Sequence, residues 1–263
     1  MIIVKIGGGA SINLAGIAAD MVELKEPFVV VLGANAARDK LLEDLGREKR
    51  VVTSVSGYSS VFSDEEAIDA LMMAYAGLRN KRMVELCQQH GVNAVGLSGL
   101  DGRMVRARRN RGIRVKEGEK LRLLHDFSGK PREINKELLG LLLDHGYVPV
   151  LTIPLLDENN CAVNSENDDV ASVLVRETGA EKVVHLIEAP GFLDDKDDPE
   201  SMVPRITRAE LEERESQVEG RMKRKMLALR KLFEHGAGTV IIADGRVEHP
   251  LRDALRGKGT VIS

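Results

Sequence analysis

Tryptophan is absent from the 263 residues, and aromatic side chains make up only 3% of them. The core must therefore be filled by Leu, Val, Ile, Ala and Met, and recognition of nucleic acid by base stacking, which needs aromatic faces, is excluded. Cys87 and Cys161 are the only cysteines. They lack metal-type spacing and imply a reduced compartment, not a disulfide framework, so no protein metal ligands are expected. No apolar run approaches the ~20 residues that span a bilayer. The first residues also lack the apolar run and small-residue cleavage site of a signal peptide. Neither sign of charge dominates: Lys and Arg number 38 against 41 Asp and Glu, net −3, so no global field attracts nucleic acid or membrane. The expectation is a soluble cytoplasmic protein with enough apolar residues (43%) for one large α/β domain or two packed lobes.

What is present alternates. Apolar runs at Ile2 to Ile6, Phe28 to Leu32, Val92 to Leu97, Tyr147 to Ile153, Lys182 to Ile187 and Thr239 to Ala243 predict buried strands of a mainly parallel sheet. Between them Asp64 caps a predicted helix over Glu65 to Gly77, Asn80 caps Lys81 to His90, and Asn135 opens a helix that stops at Gly146. Thr207 and Glu210 have capping-box spacing. The pattern predicts a three-layer αβα sandwich. Arg103 to Arg109, the turn Asn110-Arg111-Gly112 and Ile113 to Val115 predict a hairpin, with Lys120 to His125 as a further strand. An internal boundary is expected near Thr152-Ile153-Pro154, giving lobes 1–153 and 154–263.

Five constellations could carry chemistry. Lys5-Ile6-Gly7-Gly8-Gly9 ends the first strand, where glycine lets backbone N–H groups approach a phosphate beside a cation; a plain glycine-rich turn fits equally. Gly33-Ala34-Asn35 permits close approach at a strand-to-helix turn, which tight packing alone also explains. Asn164 to Asp169 precedes an apolar helix. Ser165 and Asp168 fit a capping box, yet three acidic groups exceed what capping requires. In Gly220 to Phe233, Lys225 projects into the apolar stripe of Met222, Met226, Leu229, Leu232 and Phe233, so it must snorkel or meet an anion. Finally, Arg103 to Arg132 carries eleven Lys or Arg against Glu117, Glu119 and Asp126, a local field suited to an acidic partner.

In order and spacing these segments resemble the amino acid kinase family over nearly the full length. The resemblance implies that Lys5 and Lys225 are catalytic cations held by Asp168. It implies that Asn164, Gly33 and Ala34 bind the acceptor. Gly7 and Gly8, with Glu188 and Gly191 of the segment Val184 to Leu193, would hold ATP with Mg²⁺. Gly77 to Arg82, Val95 to Gly102, Arg106 to Arg109 and Ser128 to Asn135 are similar to the kinases acting on aminoadipate or glutamate linked to an acidic amino-group carrier protein, LysW, in lysine or arginine biosynthesis. On that resemblance Arg106, Arg108, Arg109, Arg111, Lys130 and Arg132 contact the carrier, and a homodimer is expected. Two departures stand out. Leu32-Gly33-Ala34-Asn35 replaces the family's His-Gly-Gly-Gly, placing a Cβ where acceptor and phosphate approach, and Val61 replaces a substrate-carboxylate arginine, so that either Arg38 or Arg79 substitutes for it or the substrate differs from standard aminoadipate or glutamate. The rival readings are a kinase of free N-acetylglutamate and a non-catalytic ATP-binding regulator.

Overall fold

The computed structural model describes residues 1–55, 59–117, 120–195, 197–217 and 220–263, and of residues 59, 60, 117, 217 and 220–225 it describes the backbone alone. The first half contains β1 Ile2–Ile6, α1 Leu14–Met21, β2 Phe28–Leu32, α2 Asn35–Asp44, β3 Val51–Thr53, β4 Ser59–Val61, α3 Glu65–Leu71, α4 Asn80–Gln89, β5 Ala94–Ser98, β6 Val105–Arg109, β7 Ile113–Glu117, β8 Lys120–Leu124, β9 Gly129–Ile134 and α5 Lys136–Asp144. The second contains β10 Val148–Thr152, β11 Leu155–Leu156, β12 Ala162–Val163, α6 Asn167–Thr178, β13 Lys182–Ile187, β14 Arg205–Ile206, α7 Arg208–Gln217, α8 Gly220–Glu234, β15 Thr239–Asp244, α9 Pro250–Leu255 and β16 Thr260–Ile262.

Among the described residues eight strands form the main sheet in the order β14-β16-β15-β13-β1-β2-β10-β5, parallel except at β15–β16. Successive side chains alternate faces, and the core divides accordingly. Ile3, Val29, Val31, Leu151 and Val183 bury against α3, α6 and α8. Ile2, Val4, Ile6, Val30, Leu32, Val184 and Leu186 bury against α1, α4 and α9. Helices thus cover both faces, as the unbroken apolar strands require, and the three-layer sandwich is as expected. β1 lies between β2 and β13, where the chain order reverses. The carboxyl ends of strands at such a switch point are the usual ligand crevice of open α/β sheets.

Two local expectations are corrected. Asn80 caps nothing: α3 runs through a π-helical stretch, Met72–Arg79, straight into α4, and Asn80 has helical dihedrals. Its side chain instead donates to the Val150 carbonyl at 2.8 Å, tying the helix to the sheet. The hairpin is also paired differently. β6 runs antiparallel to β9, while β7 pairs with β8. A basic hairpin is present, but it is β7–β8, inserted in the chain between β6 and β9 of a smaller four-stranded sheet, β12-β11-β6-β9. Asp64, Asn135 and the Thr207–Glu210 box cap as expected.

Candidate active site

Lys5 shares its face of β1 with Ile3, and there it meets α6 instead of solvent. Its Nζ lies 2.8 Å from Asp168 Oδ1, with the two side chains 13% and 32% exposed. Asp168 sits in the first turn of α6, where a carboxylate also suits the helix dipole. The capping-box alternative is not built: the cap residue is Glu166, without a side-chain cap bond, and among the described residues Ser165 Oγ is buried without a partner, as is Asn167 Oδ1. Asn164 enters this turn pinned on three sides. Its N–H donates to Phe127 O (2.7 Å), its carbonyl accepts from Gly129 N (2.9 Å), and its Nδ2 donates to Ser63 Oγ (3.0 Å).

The two glycine-rich loops meet. Gly33 N donates to Ile6 O and Ala36 N to Gly8 O, each at 2.9 Å. A Cβ on Gly8 would fall 2.4 Å from Asn35 N, and one on Gly33 would fall 2.7 Å from Gly8 N. Contact between the loops alone therefore demands glycine at both positions. Ala34 is 1% exposed and belongs to the apolar core. Its methyl is spent on packing, so the expected obstruction of the crevice is not built. Tyr75, on the π-helical stretch, donates to Asn35 Oδ1. Burial pushes the Tyr75 phenol up to about 12, so it remains a donor.

A cleft runs from Lys5 and Asp168 past His185 to Gly191, Phe192 and Leu229. His185, which the sequence reading did not single out, faces Lys5 across the β1–β13 ladder. Burial first, then the Lys5 charge, push its pKa down to about 4. Gly191 lines the cleft and packs closely on Thr260. Glu188 does not line it. Its carboxylate accepts from Ser11 N (2.8 Å) and Ser11 Oγ, bonds that hold it below the usual carboxylate range. Arg79 Nη2 donates to Gly9 O at 3.2 Å. Glu188 and Arg79 thus brace the loop after β1. Arg38, the other arginine considered for the acceptor, is tied to Asp39. The side chain of Lys225 lies outside the described residues, while Met226, Leu229 and Leu232 form the expected buried stripe of α8. Among the described residues no group of three or more His, Cys, Asp or Glu could hold a metal ion.

Residues 1–244 match the amino acid kinase family. The chain belongs to that family. It is 41% identical, over 268 residues that cover all of both chains, to a protein of Thermus thermophilus named [LysW]-aminoadipate kinase. It is 31% identical, over 264 residues covering all of both, to an acetylglutamate kinase of Methanopyrus kandleri. Among solved structures, N-acetylglutamate synthase from Neisseria gonorrhoeae superposes with a TM-score of 0.79 at 21% identity, covering 100% of this chain and 59% of that one. That likeness concerns the fold alone.

In this amino acid kinase the basic residues do not form one set. Arg106, Arg108, Lys130 and Arg132 are exposed on β6 and β9, and Arg111 is exposed in the following loop. A groove between Arg106, Arg108 and Arg132 is also edged by Glu133 and Glu158. Arg109 is different: its Nε donates to the fully buried Asp157 at 2.8 Å, and its guanidinium lies 4.5 Å over the Phe127 ring. The same small sheet reaches the site directly, since Gly129 at the start of β9 donates to Asn164. Among the described residues no helix is long and apolar enough to cross a membrane.

Proposed function

We propose that this chain transfers the γ-phosphoryl group of ATP to the side-chain carboxylate of aminoadipate or glutamate held on a small acidic carrier protein, within lysine or arginine biosynthesis. The full-length 41% identity to a protein named for that reaction carries the reading, and the site chemistry is consistent with it. A carboxylate is already ionised at neutral pH and needs no general base. One of its oxygens attacks the γ-phosphorus in line. The bond to the β,γ-bridging oxygen breaks, its electron pair leaves on ADP, and an acyl phosphate forms. The protein's task is then positioning and charge neutralisation.

Lys5 supplies the cation on one side of the transferring group, oriented by Asp168. Lys225 supplies the second from α8. The loops at Gly7-Gly8 and Gly33-Ala34 bring the backbone close to the phosphates and acceptor, with the Gly7 and Gly33 N–H groups already committed to Leu186 O and Ile6 O, and Asn164 bonds the acceptor. Gly191 and Phe192 flank the nucleoside, with Glu188 acting through Ser11 to fix the loop. Mg²⁺ arrives with ATP as part of the substrate and is held chiefly by phosphates and water. Residues 1–153 serve the acceptor and 154–263 the nucleotide, in a cytoplasmic homodimer. Arg106, Arg108, Arg111, Lys130 and Arg132 receive the carrier, and Arg109 shapes that surface from beneath.

The test compares ADP release with carrier-linked aminoadipate, carrier-linked glutamate, free aminoadipate and N-acetylglutamate. At least a hundredfold higher kcat/KM for a carrier-linked acceptor supports the reading; preference for N-acetylglutamate overturns it.

A further inference from the structure

His185 is a buried polar residue that the transfer chemistry leaves unused. It stands in register with Lys5 on one side and Ile242 on the other, so the three side chains form one row across the sheet beneath α6 and α8. Val183, two residues earlier on the same face, is fully buried and apolar, so packing alone gives no reason for an imidazole. The residue is 6% exposed. Its Nδ1 lies 4.0 Å from Asp168 Oδ1, and its Nε2 is buried with no hydrogen-bond partner among the described residues. Leaving a buried acceptor or donor unpaired costs about 1–3 kcal/mol, and a ligand that satisfies it recovers much of that cost.

The kind of ligand follows from the tautomer. With its pKa pushed down to about 4, the ring is neutral at neutral pH, carrying one N–H and one lone pair. The Asp168 carboxylate on the Nδ1 side favours the proton there, which leaves the Nε2 lone pair as an acceptor. Phosphate oxygens are themselves acceptors and cannot satisfy it. The cleft continues from His185 toward apolar Phe192 and Leu229, the end suited to a nucleoside once the phosphates lie at Lys5. A nucleoside offers hydrogen-bond donors: ribose hydroxyls and the exocyclic amine of the base.

Resting on the kinase reading, we infer that His185 is a nucleotide-specificity residue whose Nε2 accepts a hydrogen bond from a donor group of the nucleoside. A site built to bond such a group rejects the analogue that lacks it. Titration calorimetry separates the possible donors by comparing ATP with 2′-deoxy-ATP, 3′-deoxy-ATP and inosine triphosphate, the last lacking the base amine. The wild-type protein should bind one of these at least tenfold more weakly than ATP. His185→Leu should reduce that preference to within twofold, and His185→Gln, which keeps an acceptor oxygen, should retain part of it. Thermal melts establish that each variant is folded. Equal discrimination by wild type and His185→Leu, or no discrimination by either, overturns the inference while leaving ATP binding intact. Failure of the wild-type protein to bind ATP overturns the kinase reading itself and the inference with it.

Discussion

Asp168 and Lys5 show what a half-buried ion pair does at a site of this kind. The pair fixes the ammonium in one place before any ligand arrives; on the proposed reading its charge then needs no reorganisation when negative charge builds on the transferring group. Asp168→Asn keeps the shape of the side chain and removes the charge that holds Lys5. It should lower kcat by roughly 10²–10³-fold while shifting the melting temperature little; an unchanged kcat contradicts the role. His185 makes a second prediction at this scale. Its folded pKa of about 4 lies below the ~6.5 of an exposed imidazole. Between those values the unfolded chain binds more protons than the folded one, so the His185 contribution to stability is complete above ~6.5 and is lost as pH falls toward 4. Urea unfolding at pH 7, 5.5 and 4 should show this loss in the wild type and a flatter dependence in His185→Leu. Parallel curves contradict it. Lys5 and Asp168 were legible in the sequence because a cation in an apolar strand and excess acid at a helix start both break the local pattern. His185 breaks the pattern of β13 in the same way, as one polar residue in an apolar strand, and that signal was available but unused.

At the scale of elements, the loop after β1 and the loop after β2 behave as one unit. Their glycines serve each other before they serve a ligand, because a Cβ at Gly8 meets the Asn35 backbone at 2.4 Å. Gly8→Ala should therefore cost about 1–3 kcal/mol, seen as a lowered melting temperature, together with a fall in kcat/KM. Gly140→Ala in α5, where a Cβ meets nothing within 4 Å, should be neutral or slightly stabilising. Equal behaviour of the two variants would contradict the account of the paired loops. The glycines themselves were plain in the sequence, but their mutual contact was not, since nothing local says that two turns 26 residues apart in chain number (Gly7 and Gly33) touch. The misread hairpin has a similar cause. Pro131 within β9 argues against a strand, and it is tolerated because the ladder is irregular between Arg106 and Ala107, which faces it. With no strand expected over Gly129 to Ile134, the nearest available partner for β6 is β7. Asn80 misled because a good capping residue in mid-helix reads as a boundary until its partner on β10 is known.

For the whole molecule, a chain close to neutral overall presents a cationic strand pair on one side, joined through Gly129 to the turn that carries Asn164. Opposite charges so placed steer encounter more than they raise affinity. Arg106→Glu with Arg108→Glu should raise KM for a carrier-linked acceptor at least tenfold at low salt, with kcat changed less than twofold, and added salt should narrow the difference. An unchanged KM would move carrier recognition elsewhere. The layered fold and the local excess of base could be read from periodicity and composition. The joining of the basic sheet to the turn that carries Asn164 could not, because it depends on the β6–β9 pairing. The account as a whole rests on transfer to a carboxylate. Trapping with hydroxylamine tests this most directly, since it converts an acyl phosphate to a hydroxamate and leaves phosphate esters intact. The account predicts hydroxamate formed in step with ADP from carrier-linked aminoadipate or glutamate, and abolished in Lys225→Ala. ADP release with these acceptors but no hydroxamate, or undiminished hydroxamate in Lys225→Ala, would contradict it.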